Sequence, residues 1–313
     1  MPVILYRLQP WAFVDRLVFE LCPPGFEIVP MARDASQAER AELLRKAEFL
    51  MGSWVTTTVT LSEGDYAAAP KLKLVQLMSA GYEHVDLGLA ARFGVPVATF
   101  GDAMASVVAE HTLLLMLAVY RRLLQLDAAV RSGAWRTSEP VLRELRGKRV
   151  GLIGMGYIGR EVATRLQAFG AEVVSFSRHS ASLSLDELLA TSDIVSLHVA
   201  LTPSTRGMIG ARELALMKPG AVLINTSRGP VVDQSALFTA LRDGRLGAAG
   251  LDVLEPEPPS ADEPLLQLPN VVFTPHNGGQ ADEVWPRIVR TCFDNVKRVA
   301  RGEPPRFLAR PLD

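Results

Sequence analysis

The sequence predicts an α/β fold with two domains, the larger of which contains a doubly wound parallel sheet. The chain has 313 residues, which is enough for two ordinary domains. From about residue 148 onward, apolar β-rich runs alternate with helical stretches, as buried parallel strands and their crossovers do. These runs lie near 149–153, 172–176, 194–198, 221–225, 247–252 and 271–274.

Three helices are predicted between these strands, over 159–170, 184–192 and 233–244. Gly170 and Gly244 stand where glycine commonly ends a helix. The longest apolar segment, 106–120, contains Glu110 and His111 and is short for a membrane span. It is therefore predicted to be a buried helix.

The first hundred residues predict a smaller α/β domain, because their alternation of strands and helices is looser. Elements are expected near 3–8, 37–47, 48–53, 71–78 and 94–100. A further helix at about 281–301 could return to this domain. We therefore expect one domain from 1–100 together with 281–313, discontinuous in sequence, and a second domain over 101–280.

Composition favours a small molecule as the partner. The 33 Lys and Arg residues nearly balance the 34 Asp and Glu residues, so no bulk charge favours nucleic acid or a membrane surface. Cys22 and Cys292 have no metal-ligand spacing, and no metal site is expected. Two isolated cysteines and an amino terminus without signal-peptide features indicate a reduced compartment, the cytoplasm.

A glycine-rich loop follows the strand at 149–153. Gly154, Gly156 and Gly159 form G-x-G-x-x-G between this strand and a helix, which is the context of a dinucleotide pyrophosphate site. A glycine-rich turn without a ligand is the alternative, and the strand-turn-helix setting makes it the weaker one. The residues assigned to the cofactor here are Gly154, Met155, Gly156, Tyr157, Ile158 and Gly159.

The end of the next strand bears on which dinucleotide is bound. Dinucleotide sites for NAD usually carry an acidic residue there, whereas this chain has Ser177 followed by Arg178. A hydroxyl and a guanidinium can bind a 2′-phosphate by charge-assisted hydrogen bonds. The sequence favours NADP(H) and leaves NAD(H) possible, because Arg178 could also be a solvated surface charge.

Three polar residues follow strands of the same predicted sheet: Arg228, Glu257 and His276. The carboxyl ends of parallel strands converge on the ligand crevice. Each residue alone has a structural interpretation, as a capping arginine, a solvated carboxylate and a hydrogen-bonded histidine. All three beside a dinucleotide loop indicate a catalytic group.

The amino-acid sequences of several segments, spread over nearly the whole chain, resemble motifs of the D-isomer-specific 2-hydroxyacid dehydrogenase family. The matching segments are SAGYEHVD (79–86), VAEHTL (108–113), GMGYIG (154–159), INTSRGPVVD (224–233), LDVLEPEP (251–258) and TPHNGG (274–279). The resemblance implies a Rossmann dinucleotide domain and a flavodoxin-like substrate domain. It further implies a homodimer formed through the dinucleotide domain, with the long helix and the segment around Trp135 contributing.

The resemblance also implies roles for particular residues. Arg228 binds the substrate carboxylate and carbonyl, His276 is the acid/base, and Glu257, rather than its neighbour Glu255, is the partner of His276. Further assignments are backbone N–H groups at Ala80 and Gly81 for the substrate, and His198, Thr226, Asp252 and Val108 for the cofactor. His84 and His111 are expected to be packed and hydrogen-bonded, without a catalytic role.

The chemistry independently requires these residue types. Reducing a 2-keto acid requires a proton donor for the carbonyl oxygen and stabilisation of the oxyanion as it forms. A carboxylate beside His276 favours the imidazolium, so the histidine should be charged for reduction and neutral for oxidation. The planar fork of Arg228 suits a carboxylate.

The predicted function is an NADP(H)-dependent interconversion of a 2-keto acid and a D-2-hydroxy acid, with glyoxylate or hydroxypyruvate as candidate substrates. Trp54 is either a wall of the substrate pocket, which would admit bulkier keto acids, or a packing residue. A dinucleotide-sensing or corepressor-like binding protein is the alternative, because fold does not settle function. A formate dehydrogenase is disfavoured by Glu257, since those enzymes carry Gln beside the histidine.

Overall fold

The computed structural model describes residues 1–52, 61–135, 142–177 and 183–311, which fall into two compact units. The first unit contains Met1–Met104 and the segment that begins at Ala281. The second unit is Ala105–Gln280. Within the described residues, no helix combines the length and apolar character that crossing a bilayer requires.

The first unit is built on a five-stranded parallel sheet. Its strands are β1 (Val3–Arg7), β2 (Glu27–Met31), β3 (Phe49–Gly52), β4 (Leu74–Leu77) and β5 (Val97–Ala98), in the order β2-β1-β3-β4-β5. This is the flavodoxin-like order that the family resemblance implies. Helices α1 (Ala12–Glu20), α2 (Gln37–Leu44), α3 (Glu63–Ala68) and α4 (Leu87–Arg92) join the strands.

The sequence did not predict α1, β2, α3 or α4. Strand β2 lies at the edge of the sheet, contains Pro30 and has only one fully buried residue, Met31. An edge strand needs no continuous apolar run, so its pattern in the sequence is weak.

The second unit is built on a six-stranded parallel sheet, which confirms the predicted doubly wound fold. Its strands are β6 (Arg149–Ile153), β7 (Glu172–Phe176), β8 (Ile194–Leu197), β9 (Val222–Asn225), β10 (Ala248–Leu251) and β11 (Val271–Phe273). Their order is β11-β10-β9-β8-β6-β7, so the winding reverses between β6 and β8. Ligands of such sheets bind at the carboxyl ends of the strands near that reversal.

Helices cover both faces of this sheet. They are α5 (Ala105–Tyr120), α6 (Leu123–Arg131), α7 (Tyr157–Ala168), α8 (Leu185–Thr191), α9 (Ala211–Leu216) and α10 (Gln234–Arg242). Helix α5 packs against α7 and strands β9, β10 and β11, as its apolar sequence predicts. The sequence did not predict α6, which buries no residue, or α9, which is only six residues long.

The chain returns to the first unit through α11 (Val284–Ala300). The fully buried Asn295 side chain donates to Gln76 Oε1 at 2.8 Å and accepts from the backbone N–H of Arg306 at 2.7 Å. Helix α11 is thereby bonded both to β4 and to the segment that follows the helix. These bonds fix the C-terminal part of a domain that is discontinuous in sequence.

Candidate active site

The glycine-rich loop between β6 and α7 is locked by two positions that have no room for a side chain. Gly154 has a φ of +100°, and a Cβ placed there would lie 2.4 Å from the carbonyl oxygen of His198. A Cβ on Gly159 would lie 2.1 Å from the carbonyl oxygen of Gly154. Only glycine fits at either position, so the loop passes close to β8 and folds tightly onto the first turn of α7.

Gly156 differs from these two positions because it faces open space. It is the residue before α7, no side chain caps the helix there, and an added Cβ would meet no atom within 4 Å. The first N–H groups of this 12-residue helix are therefore available to an anion. Met155 and Ile158 pack into the core below, while Tyr157 lies near the surface. The loop fits a dinucleotide pyrophosphate.

The residues expected around the rest of the dinucleotide are only partly described. Ser177 directly follows β7 and is half-buried, whereas Arg178 lies outside the described residues. His198 follows β8, and its Nε2 is 3.0 Å from Ser196 Oγ. Although the residue as a whole is partly exposed, its Nδ1 is buried and has no hydrogen-bond partner among the described residues. Burial lowers the pKa of His198 to about 4, so the imidazole is neutral at neutral pH.

The buried side chain of Asn225 shapes the loop that carries Arg228. Its Oδ1 accepts hydrogen bonds from the N–H and the hydroxyl of Ser227, at 3.0 and 2.8 Å. Its Nδ2 donates to the carbonyl oxygen of Arg228 at 2.9 Å. A Cβ on Gly229 would lie 2.1 Å from the carbonyl oxygen of Leu254, so the loop after β9 contacts the loop after β10.

His276 and Glu257 form a hydrogen-bonded pair. Their Nδ1 and Oε2 atoms are 2.7 Å apart, while Glu257 Oε1 accepts from the backbone N–H of Leu254 at 3.1 Å. Partial burial acts to raise the pKa of Glu257. The hydrogen bond and charge of His276, the Leu254 N–H and the charge of Arg228 outweigh burial and hold that pKa below its ordinary value. The neighbouring Glu255 instead pairs with Arg206 at 3.1 Å.

Asp252 holds the loop that carries His276. The carboxylate is 3 % exposed and accepts bonds from the Thr274 hydroxyl at 2.5 Å and from the N–H groups of Asn277 and Gly278 at 2.9 and 2.8 Å. Burial acts to raise the pKa of Asp252. Hydrogen bonds from His111, Thr274 and the two loop amides outweigh it and lower that pKa. The charged carboxylate thus fixes the loop.

The backbone of His276 needs such support. Its φ of +54° lies in the left-handed region, which is uncommon for any residue with a side chain. The cost of this conformation is of the order of 1–2 kcal/mol. The His276 N–H donates to the carbonyl oxygens of Asp252 and Thr274, at 2.8 and 3.0 Å, and these bonds stabilise the turn.

Two residues expected beside the nicotinamide are joined through a third. The hydroxyl of Thr112 on α5 donates to the carbonyl oxygen of Val108 at 2.8 Å and lies 3.0 Å from the hydroxyl of Thr226. Val108 and Thr226 are both buried.

Apart from Arg228, the residues expected to bind substrate belong to the first unit. Ala80 and Gly81 follow β4, and the Ser79 hydroxyl donates to the Gly81 carbonyl oxygen at 2.9 Å. Trp54 lies outside the described residues.

A cavity of about 500 Å³ adjoins the His276–Glu257 pair within the second unit. Leu254, Leu266, Phe273 and several prolines give it a mainly apolar lining. A second cavity, of about 400 Å³, lies near the amino ends of β9, β10 and β11 and contains none of the residues discussed above. We take the first as the cavity that belongs to the site, because it contains the titratable pair. No cluster of metal-ligating side chains occurs among the described residues.

Sequence reasoning missed Asn225, Thr274 and the position of His111. Asn225 and Thr274 are polar residues at the ends of apolar strands, a signal that the sequence does contain. The contact between His111 and Thr274 joins residues 163 positions apart, and no local pattern predicts it.

Comparison with known proteins identifies the family. Residues 113–278 match the family described as D-isomer specific 2-hydroxyacid dehydrogenase, NAD binding domain. The glyoxylate reductase of Thermococcus litoralis is 36% identical, over 95% of this chain and 96% of its own length. The chain belongs to the D-isomer specific 2-hydroxyacid dehydrogenase family.

Two solved structures in this comparison carry different dinucleotides. An acyclic imino acid reductase in complex with NADPH and D-Arg has a TM-score of 0.85 and 27% identity, covering 98% of this chain and 100% of its own. D-Lactate dehydrogenase from Aquifex aeolicus, complexed with NAD and lactic acid, has a TM-score of 0.80 and 31% identity, covering 96% of each chain. Family membership thus supports an oxidoreductase of 2-keto and 2-hydroxy acids that uses a nicotinamide dinucleotide.

We predict that Gly156→Ala folds normally but binds the dinucleotide at least about tenfold more weakly, because the added methyl group occupies the space that a phosphate needs. Isothermal titration calorimetry and thermal melting would measure the two properties. Gly64→Ala, in α3 with its nearest atom at 3.7 Å, is the control and should leave the dinucleotide affinity unchanged. Unchanged affinity in Gly156→Ala would place the pyrophosphate elsewhere.

Proposed function

We propose that this D-2-hydroxyacid dehydrogenase uses NADPH to reduce a small 2-keto acid, such as glyoxylate or hydroxypyruvate, to the D-2-hydroxy acid. The observation that carries the proposal is the 2.7 Å pair of His276 and Glu257, with the charge of Arg228 near enough to lower the pKa of Glu257. An acid, its carboxylate partner and an anion-binding guanidinium are the groups that this reaction requires.

His276 is the proposed acid/base. Its Nδ1 faces Glu257, so Nε2 is the nitrogen that donates a proton to the carbonyl oxygen of the substrate. Because its pKa is lowered, Glu257 is ionised at neutral pH and stabilises the imidazolium before the proton leaves. The same hydrogen bond fixes the plane of the ring.

Arg228 is the proposed binding group for the substrate carboxylate and carbonyl. Its Nη1 donates to the carbonyl oxygen of Ser227 at 2.8 Å, and Asn225 holds its backbone. A guanidinium fixed in this way can stabilise the negative charge that develops on the carbonyl oxygen. The bound dinucleotide supplies the hydride.

The first unit contributes the remaining substrate contacts in this proposal. We assign the backbone N–H groups of Ala80 and Gly81 to the substrate carboxylate, because Gly81 permits close approach of the backbone. Trp54 is proposed as a wall of the substrate pocket. Val108, Thr226, Asp252 and His198 are proposed to line the dinucleotide site of the second unit.

The preference for NADPH rests on residue type. Ser177, at the end of β7, stands where an acidic residue would repel a 2′-phosphate, and Arg178 follows it in the sequence. Cys22 and Cys292 are both free thiols, which supports a reduced compartment, the cytoplasm.

A homodimer formed through the second unit is also part of the proposal. Six of the fourteen exposed large apolar residues among those described fall between residues 114 and 142: Leu114, Leu123, Leu124, Val130, Trp135 and Leu142. Trp135 is the most exposed of these six, at 78 %. Exposed apolar side chains concentrated in one part of a chain favour a protein interface.

The direct test is a panel of 2-keto acids, each assayed with NADPH and with NADH by the absorbance of the reduced nicotinamide. We expect turnover of glyoxylate or hydroxypyruvate, with kcat/KM about tenfold higher for NADPH because of the charged contacts to the 2′-phosphate. Equal or better efficiency with NADH would contradict the cofactor assignment. Dinucleotide binding without turnover of any keto acid would instead favour a sensing or corepressor-like protein.

We predict that the two reaction directions respond oppositely to pH. Keto acid reduction should slow with rising pH and hydroxy acid oxidation should accelerate, because reduction requires a proton on His276 and oxidation requires a ring that can accept one. Initial rates in both directions measure this. In His276→Ala, kcat should fall about 10²–10⁴-fold with dinucleotide affinity unchanged, and the opposed trends should disappear. Parallel trends in the wild-type enzyme would contradict the role of His276.

We predict that the protein sediments at twice the chain mass of 34.0 kDa. Replacing both Leu123 and Leu124 by Glu should produce monomers in analytical ultracentrifugation, because two buried charges disfavour an apolar interface. Leu308→Glu changes an exposed leucine in the first unit and should leave the dimer intact. A monomeric wild-type protein at micromolar concentration would contradict the proposal.

A further inference from the structure

A chain of hydrogen bonds connects helix α5 to the loop of His276. His111 Nε2 lies 2.8 Å from the hydroxyl of Thr274, and this hydroxyl lies 2.5 Å from Asp252 Oδ1. The same Oδ1 accepts the N–H of Asn277, and Oδ2 accepts the N–H of Gly278. His111 Nε2 also lies 3.4 Å from Asp252 Oδ1 itself. His111 is therefore linked, through Thr274 and Asp252, to the backbone amides that directly follow His276.

The direction of each bond follows from the groups involved. Asp252 is ionised, since its pKa is lowered, and an ionised carboxylate can only accept hydrogen bonds. The Thr274 hydroxyl must therefore donate its single proton to Asp252, and it accepts from His111. His111 consequently carries its proton on Nε2.

Little space surrounds the loop that carries His276, so its position is closely constrained. A Cβ on Gly278 would lie 2.8 Å from Asp252 Oδ2 and 3.4 Å from the His111 ring. The imidazole of His111, which is 14% exposed, thus packs against the loop and also donates to Thr274. The adjacent His276 has its left-handed backbone with φ +54°.

We infer that His111 is a positioning residue for His276, acting through Thr274 and Asp252. The inference rests on the proposed function of His276 as acid/base. By donating to Thr274, His111 orients the hydroxyl so that it bonds to Asp252, which in turn holds the loop amides. Loss of the donor lets the Thr274 hydroxyl rotate and the loop relax, and displacements below 1 Å are enough to slow a positioned reaction.

The test compares two variants of His111 with one variant of its hydrogen-bond partner Thr274. His111→Phe keeps the ring and removes the donor, His111→Gln restores an N–H donor near Nε2, and Thr274→Val removes the hydroxyl while keeping its shape. We expect kcat to fall about 10–100-fold in His111→Phe and Thr274→Val, with dinucleotide affinity and KM changed less than about twofold. His111→Gln should recover kcat to within about threefold of the wild type. The double variant should be little worse than either single one.

Ser192→Ala is the matched control. Its hydroxyl is buried in the second unit and donates to the carbonyl oxygen of Leu188 at 2.6 Å, away from the chain of bonds described above. It should leave kcat unchanged, which separates positioning from general loss of packing. Equal loss of kcat in His111→Phe and His111→Gln, or additive losses in the double variant, would overturn the inference.

A second measurement separates this inference from the proposed function. The nitrogen resonances of His276, assigned by their absence in His276→Ala, report its hydrogen bond to Glu257 without any turnover. The chemical shifts of these resonances should change in His111→Phe and return to their wild-type values in His111→Gln. Unchanged resonances in His111→Phe would overturn the inference even if the enzyme is active. If the wild type reduced no keto acid, the proposed function would fail while the resonances still tested the positioning.

Discussion

The candidate site depends on one buried charge, the carboxylate of Asp252. Removing a carboxylate from water costs several kcal/mol unless hydrogen bonds replace its hydration. Here a hydroxyl and two backbone N–H groups from residues 274–278 replace it, and His111 Nε2 lies 3.4 Å from the same carboxylate. The segment that satisfies the charge is the segment that carries His276. The hydrogen bonds that stabilise the buried Asp252 carboxylate therefore also stabilise the left-handed backbone of His276.

The order of the strands brings Arg228 and Glu257 to the edge of the sheet that also carries His276. Strands β9, β10 and β11 are neighbours in the sheet, and the loops at their carboxyl ends carry Arg228, Glu257 and His276. A parallel sheet places these loops side by side but does not fix their contacts. The close approach of Gly229 to Leu254 fixes the contact between the loops after β9 and β10. The hydrogen bond between Glu257 and His276 fixes the contact between the loops after β10 and β11. Three positions far apart in sequence thus share one edge of the sheet.

Most of the fold could be predicted because buried parallel strands are apolar along their whole length. All six strands of the second unit are found within one or two residues of the predicted runs. Edge strand β2 and helix α6 escaped prediction because they bury little. The residues of the candidate site were predicted from their positions at strand ends and from the sequence motifs of the family. Their hydrogen-bond partners depend on tertiary contacts, such as that of His111 with Thr274, which are not visible in a local pattern.

The charges of the site also suit the substrate proposed for it. With His276 as imidazolium, the side chains of Arg228, His276 and Glu257 sum to one positive charge, which matches the single carboxylate of a 2-keto acid. Both oxygens of Glu257 are bonded, one to the Leu254 N–H and one to His276, so this carboxylate acts on Arg228 through its field. Once His276 has given up its proton, the three side chains are neutral together. In the proposed reaction the hydride that leaves the dinucleotide leaves one positive charge behind on it, so the net charge that faces the carboxylate of the hydroxy acid stays the same.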